Sequence, residues 1–580
     1  MTATACARAV AAALVELGVR HVVLSPGSRS APLAFAWEAL ARQSKVELHV
    51  RIDERGAAYL ALGLAKATRT VVPVVTTSGT AVGNLLPAVM EASHAGVPIM
   101  ILSCDRPVSA LHTGANQVTD QGGLFDRFVR ASAQLSGAEG SVATWVHQVG
   151  RLVAGAVGVR SADPGPVHLN LAFAEPLTPD DEHWPEVRPT VVEPHRAPPS
   201  ADDPAPVLEW GVPAAPWSNL PEGYAADAAP EPRTVVLVGD CPPETGRLAW
   251  QTAVDAGLPL LSEPSGNARR TPAIRGYRLL LGTELGERIE RVLLFGHPTL
   301  SRPVSRLLAR DDVEIIAVTD GARWIDPGCR VTRVVDRIDP PPGDPAWLRA
   351  WRDADDRLLP ALDAESGRAA PSEPTPLNGL AVAGAVWHAA TRTRQSQESG
   401  RGHNLVIGSS HPVRDLDLAP VLGTAPPAYA NRGLAGIDGT IATAAGIALA
   451  TGPTTLLLGD LTFLHDAGSL LIGPLERRPD LRVVVVNDDG GSIFHILEQG
   501  AADHAAAFER IFGTPTGARL GPLAAGYGWA HRELTTLTDL RAALAEPIRG
   551  TELVEMRITR EDRRGQAARL ARAGEAAVRA

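Results

Sequence analysis

Short runs that are apolar at every position, each breaking off into Gly, Ser, Asn or Asp, recur along the chain and constrain its fold more than any other feature. HVVLSPGSRS, VVPVVTTSGT, VPIMILSCDRP and VHLNLAF come first, then TVVLVGD, RVLLFGHPTL and VEIIAVTD, then NLVIGSS, TTLLLGD and VVVVNDDGGSIF. A strand with one wet face alternates apolar and polar residues. A run without alternation is buried on both faces, as in a parallel sheet covered by helices. Helical segments separate the runs, such as the stretch from Ala5 to Leu17 that ends at Gly18, so the pattern is one of βαβ units. At 580 residues the chain is too long for one core. The expected fold class is α/β, with three tandem doubly wound parallel-sheet domains over 1–185, 231–370 and 371–560. Residues 186–230 are rich in Pro, Ala and acids and suit a linker. A second Pro-rich junction, APSEPTP, lies near 370–376, and 561–580 is expected as a surface helix or frayed tail.

With 55 Lys and Arg against 65 Asp and Glu the net charge is −10. No general basic field recruits nucleic acid, so an anionic substrate needs locally placed arginines. Cys6, Cys104, Cys241 and Cys329 are scattered without CxxC spacing, which argues against a disulfide framework or zinc site and fits a reducing cytoplasm. No apolar run approaches the roughly 20 residues of a membrane span. Arg8, Glu16 and Arg20 interrupt the N-terminal apolar pattern, which reads as an amphipathic helix and not a signal peptide.

VVVVNDDGGSIF carries the sharpest chemical hint. A turn alone would account for Asn487, Asp488, Asp489, Gly490 and Gly491. TTLLLGDLTFLHD changes the weighting, because a second buried run ends there in Gly459 and Asp460, 28 residues before Asp488. That spacing fits one strand–helix–strand unit, whose parallel strands end at the same sheet edge, where α/β proteins bind ligands. Two carboxylates and a backbone carbonyl at a helix N-terminus suit a hard divalent cation. The paired glycines let backbone approach a diphosphate.

These two stretches resemble the cofactor motif of the thiamine diphosphate-dependent enzyme superfamily, which begins Gly-Asp and ends near a double Asn. The resemblance implies Mg²⁺ (or Mn²⁺) held by Asp460, Asp488 and the carbonyl of Gly490. Asp488 stands where Asn is usual, and Asn487 is the alternative ligand. Gly459, Asp460, Asn487, Asp488 and Gly490 would all contribute to the cofactor site. The superfamily also uses a glutamate of a pyrimidine-binding domain to bond the aminopyrimidine ring and promote deprotonation of the thiazolium carbon. In HVRIDERGAAYLALGLAKAT that glutamate is Glu54. The three domains are then expected as pyrimidine-binding, central and diphosphate-binding.

Within that superfamily, LSPGSRSAPLA, RIDERGAAY, TTSGTAVGNLLPAVMEA, GANQVTDQGGLF, NRGLAGIDGT, GDLTFLHD and NDDGGSIF resemble the 2-succinyl-5-enolpyruvyl-6-hydroxy-3-cyclohexene-1-carboxylate synthases of menaquinone biosynthesis. The resemblance implies decarboxylation of 2-oxoglutarate and conjugate addition of the resulting enamine to isochorismate. Both substrates carry two carboxylates, which arginine binds bidentately. Glu54, Arg29, Gln117 and Arg432 are the implied catalytic residues. Ser28, Arg106, Asn116, Arg302, Ser410 and Arg414 would bind substrate, with Ile493, Phe494 and Leu497 as an apolar wall excluding water. The resemblance also implies a homodimer or homotetramer with cofactor at the subunit interface, no nucleic acid and no membrane. Two rivals stay open: another thiamine diphosphate carboligase of the acetolactate-synthase kind, and a non-catalytic protein that keeps the fold. A Rossmann dehydrogenase is disfavoured for want of a G-x-G-x-x-G after a first strand.

Overall fold

The runs that are apolar at every position form interior strands of parallel sheets. The computed structural model describes residues 2–179, 181–193, 231–367, 377–396 and 403–579. The first sheet holds β1 (His21–Leu24), β2 (Glu47–Val50), β3 (Val72–Thr76), β4 (Ile99–Asp105), β5 (Ser132–Ser136) and β6 (Val167–Ala172), in the order β2-β1-β3-β4-β6-β5. The second holds β7 (Thr234–Val238), β8 (Leu260–Ser262), β9 (Arg291–Phe295), β10 (Glu314–Val318) and β11 (Val331–Val335), in the order β11-β10-β9-β7-β8. The third holds β12 (Asn404–Ile407), β13 (Ala428–Ala430), β14 (Thr454–Gly459), β15 (Leu481–Asn487), β16 (Ala530–Leu534) and β17 (Thr551–Arg557), in the order β13-β12-β14-β15-β17-β16. Every pairing between these strands is parallel, so the carboxyl ends of each sheet share one edge.

Period-two alternation explains the four valines. Val483 and Val485 join the core shared with the first domain, while Val484 and Val486 join the core on the opposite face. The first and third domains meet through the helices Glu54–Thr68 and Thr440–Thr451. Glycine permits that approach: a Cβ on Gly63 would strike the carbonyl of Thr443, and one on Gly446 would strike that of Leu60.

Of the expected linker, residues 186–193 run without regular structure and 194–230 lie outside the described residues, as does the junction at 370–376. The last stretch is the helix Arg563–Arg579, with Arg563, Gln566, Leu570, Gly574 and Ala577 buried. Leu570 and Ala577 sit in the central-domain core, so this helix is docked and not frayed. Among the described residues no helix is long and apolar enough to cross a membrane.

One buried histidine gives the first domain a testable acid response. His168 on β6 is 2.7 Å from Ser103 Oγ through Nε2 and edge-on to Phe125. Burial lowers its pKa to about 4. The folded value lies below the unfolded one of about 6.5, so the neutral ring stabilises the fold above that pH, and the contribution is lost as pH falls toward the folded value. The stability advantage of the wild type over His168→Gln should therefore shrink by about 3 kcal/mol between neutral pH and about pH 4. Urea titrations at several pH values measure it, and a pH-independent difference contradicts the buried neutral ring.

Candidate active site

The carboxyl edge of the third sheet brings the two acids together. β14 and β15 pair in register through Gly459 and Val486, and Asp460 opens the helix Asp460–His465. Asp460 Oδ2 accepts the Gly490 N–H at 2.7 Å. Both acids are buried. Burial first, and then the charge of Asp488, pushes the Asp460 pKa up to about 7. Two carboxylates forced together with backbone groups form an all-oxygen donor set whose repulsion a divalent cation relieves, so the residues present fit Mg²⁺ or Mn²⁺. Asp488 Oδ2 also faces Arg563 Nη2 at 3.4 Å.

Asn487 is placed differently from the expectation of an alternative ligand. Its amide donates to Glu555 Oε1 at 2.6 Å, on β17, the neighbour on the side away from β14, and its Oδ1 accepts the Asp489 N–H. Asp488 is the first residue past the end of β15, and its charge acts on Asp460. The backbone then turns sharply, with Asp489 at φ 53° and Gly490 at φ 141°. Gly491 N–H donates to the carbonyl of Gly513 at 2.7 Å.

Beside this pair stand two expected arginines. Ser410 Oγ accepts the Gly459 N–H at 3.1 Å, and the Ser410 carbonyl accepts from Arg414. Burial, then Arg432 and Arg278, lowers the Arg414 pKa to about 10. Mutually repelling cations in a buried place favour an anion between them. Arg432 is more constrained than expected. It donates from Nε and Nη2 to Thr299 of the central domain and from Nη1 to Ser409. Arg302 is bidentate on Glu498 at 2.7 and 2.9 Å, with both side chains more than half exposed. That pair adds little energy and occupies the guanidinium one residue past Leu497. Ile493 and Phe494 lie on the turn Ser492–Ile496, with Leu497 directly after it; all three are half-buried, and Phe494 packs on Phe512 at 5.5 Å.

The first-sheet residues gather at their own carboxyl edge. Arg106 donates to Ser78 Oγ and to the Gln117 carbonyl, and Gln117 Nε2 donates to the Ser78 carbonyl. Arg29 donates to the Phe173 carbonyl, and its buried Nε has no partner among the described residues. Burial and the nearby Arg106 lower its pKa. Ser28 and Asn116 are exposed at the same edge. Glu54 begins its helix after the N-cap Asp53 and accepts from Asn84 at 3.2 Å. Among the described residues no hydrogen bond joins Glu54, Arg29, Arg106 or Gln117 to the third-sheet group. Sequence reasoning did not single out Ser78, Asn84, Thr299 or Arg563. The first two lie inside TTSGTAVGN, whose glycines and hydroxyls marked it as a strand-end loop; the others carry no local signal.

Another cluster of potential ligands, His21, Glu47 and His49, lies near the amino ends of β1 and β2. His21 Nδ1 and His49 Nε2 are 3.3 Å apart and Glu47 holds Arg477 at 2.6 Å, so these groups satisfy one another.

Comparison with known proteins bears on the family and the fold. Residues 4–124 match the model of the thiamine pyrophosphate enzyme N-terminal TPP binding domain. The 2-succinyl-5-enolpyruvyl-6-hydroxy-3-cyclohexene-1-carboxylate synthase of Kineococcus radiotolerans is 47% identical, over 99% of this chain and 99% of its own. Synthases of the same name from Nocardioides sp. (44%, covering 97% and 96%) and Paenarthrobacter aurescens (44%, covering 100% and 98%) are similar. Among solved structures, benzoylformate decarboxylase from Polynucleobacter necessarius superposes with a TM-score of 0.63 at 15% identity, over 97% of this chain and 99% of its own, which shows the shared fold.

The loop after β15 requires glycine at one position above others. A Cβ on Gly490 would strike the carbonyl of Gly513 and Arg560 Nη1, at a φ that other residues avoid. Gly490→Ala should cost at least about 2 kcal/mol, with faster amide exchange over 488–497. Unchanged denaturation and exchange would show that the loop tolerates a side chain there.

Proposed function

The chain belongs to the 2-succinyl-5-enolpyruvyl-6-hydroxy-3-cyclohexene-1-carboxylate synthase family, and from that membership we propose that it decarboxylates 2-oxoglutarate and adds the succinyl unit to isochorismate, using thiamine diphosphate and Mg²⁺, in menaquinone biosynthesis. The observation that carries the proposal is the convergence of Asp460 and Asp488 beside Gly490. An acetolactate-synthase-like carboligase would share that convergence. Arg414, half-buried, and Arg432, buried, repel each other next to Ser410 and favour dicarboxylate substrates instead.

Thiamine diphosphate, when bound, supplies the carbon nucleophile and the electron sink. Asp460, Asp488 and the Gly490 carbonyl would hold the cation that neutralises the diphosphate. Glu54 would hold and move the proton on the aminopyrimidine ring. Arg29 and Arg106, with Gln117 and Ser78 around them, would bind one carboxylate-bearing substrate at the first-sheet edge, and Arg414 would orient the other. Ile493, Phe494 and Leu497 would exclude water from the reacting carbon. Arg432 would act chiefly by shaping the cationic pocket, since its nitrogens already bind Thr299 and Ser409. All four cysteines are free, in keeping with a cytoplasmic enzyme.

A homodimer or larger assembly completes this reading. Among the described residues no hydrogen bond or ion pair joins Glu54 to Asp460, and apolar side chains stand open around the Glu54 loop: Ile52 is 69% exposed, Leu475 97% and Leu471 42%. Exposure of that kind marks a protein interface.

Purified protein with thiamine diphosphate and Mg²⁺ should consume isochorismate, followed by its ultraviolet absorbance, only when 2-oxoglutarate is present. Glu54→Gln should lower turnover at least about 100-fold. Pyruvate replacing 2-oxoglutarate, with isochorismate untouched, would favour the acetolactate-type rival. Light scattering should give a dimer or tetramer, and Leu475→Asp should shift it toward monomer; a monomeric wild type rules out a shared site.

A further inference from the structure

Three arginines, Arg560 just before the C-terminal helix and Arg563 and Arg564 at its start, all reach the loop that follows β15. Arg560 Nη1 donates to the carbonyl of Asp489 at 2.8 Å, and its Nη2 pairs with Glu509 at 2.5 Å. Arg563, itself only 4% exposed, lies between Asp488 Oδ2 at 3.4 Å and Asp415 Oδ2 at 3.1 Å. Arg564 donates from Nε to the His495 carbonyl at 3.0 Å and from Nη2 to that of Leu497 at 2.8 Å. These contacts span the loop from its acid to its apolar wall. The helix carrying them is anchored elsewhere: Leu570 and Ala577 are in the central-domain core, Arg357 donates to the Ala577 carbonyl, and Arg569 pairs with Glu365.

We propose that this arginine-rich entry to the helix is a clamp belonging to the active site, in which Arg560 and Arg564 position the 488–497 loop and Arg563 supplies the counter-charge that lets Asp488 serve as a metal ligand. The inference rests on the metal–diphosphate reading of the site. Asp488 brings a full negative charge next to Asp460, and the pair is buried with no other cation touching Asp488 among the described residues. A guanidinium at 3.4 Å offsets that charge without chelating it, which leaves the carboxylate free to turn toward a cation. Asp415 holds the guanidinium from the other side, and Gly379 leaves the room this needs: a Cβ there would strike both Asp415 and Arg563. The contacts named for the three arginines are all with protein groups, so they are positioning residues.

Charge coupling and clamping have separate readouts. Mn²⁺ binding in the presence of thiamine diphosphate, followed by the paramagnetic resonance of the free ion, should weaken by about tenfold or more in Asp488→Asn, whose ligand is neutral while Arg563 still faces the site. Adding Arg563→Gln to that variant should restore affinity to within about threefold of wild type. Additive effects of the two substitutions overturn the counter-charge role. Arg564→Gln touches neither acid, and its side chain lies at the surface, so it should fold. It should raise amide exchange across 490–497 while the melting temperature stays within about 2 °C of wild type. Unchanged exchange overturns the clamp. A wild type that binds no Mn²⁺ defeats the metal reading, and with it the counter-charge, whereas the exchange measurement decides the clamp independently.

Discussion

The structure turns on holding Asp460 and Asp488 side by side out of water. Two buried carboxylates repel, and burial already disfavours the charge on Asp460. Parallel pairing of β14 and β15 imposes the closeness, because register through Gly459 and Val486 leaves both acids just beyond the strand ends. The Gly490 N–H, a nearby guanidinium and a cation can each offset part of the repulsion. The first acts on Asp460 and the second on Asp488. The abrupt turn at Asp489 and Gly490 follows from that requirement, since a more gradual exit would carry the Gly490 N–H past Asp460.

The central domain has no catalytic motif, yet it fixes where the third domain's arginines stand. Arg278 donates to the carbonyl of Arg414, Tyr277 to Asp417, Arg275 to the carbonyl of Leu418 and Arg269 to that of Ala419. Asn267 exchanges two hydrogen bonds with Ala428, and Thr299 receives Arg432. Hydrogen bonds of this sort each add only about 1 kcal/mol of net stability, because folding exchanges them for bonds to water. Their effect is geometric. They set a line of third-domain backbone against a rigid sheet, so that Arg414 and Arg432 approach closely despite their like charge.

Legibility in the sequence followed burial. Strands covered on both faces, such as β14 and β15, were visible as unbroken apolar runs, and the two acids were visible because they end those runs. Edge strands were not. SAQLS of β5 and AHREL of β16 are half exposed and polar, so neither stands out as an apolar run, and only the first alternates. Asn487 and Asp488 could not be told apart as ligands because Glu555, which takes up the Asn487 amide, lies 68 residues further along the chain. The clamp was hidden for another reason. In ITREDRRGQAARLARAG every arginine looks like a solvated face, and only the helical spacing of Leu570, Gly574 and Ala577 hints at a buried stripe. Nothing local distinguishes Arg563 from Arg569.

The helix that begins with Glu54 shows why the two half-sites need not meet inside one chain. Its inner face is tied to the third domain by Tyr59, which donates to Asp438, by Gly63 against the Thr443 carbonyl, and by Lys66, which donates to the carbonyl of Ala430. Arg55 donates to the carbonyl of His465 at the far end of the short helix opened by Asp460. At about 100° per residue Glu54 lies half a turn around the helix from Gly63, so it turns off this tied face and finds Asn84 instead. The contact that locks the first domain to its own third domain therefore directs Glu54 outward. In the proposed dimer, the glutamate serving one cofactor would be positioned by the rigid crossing of two glycine-bearing helices in the other chain. Loosening Gly63 against Thr443 would then disturb the partner's chemistry before its own.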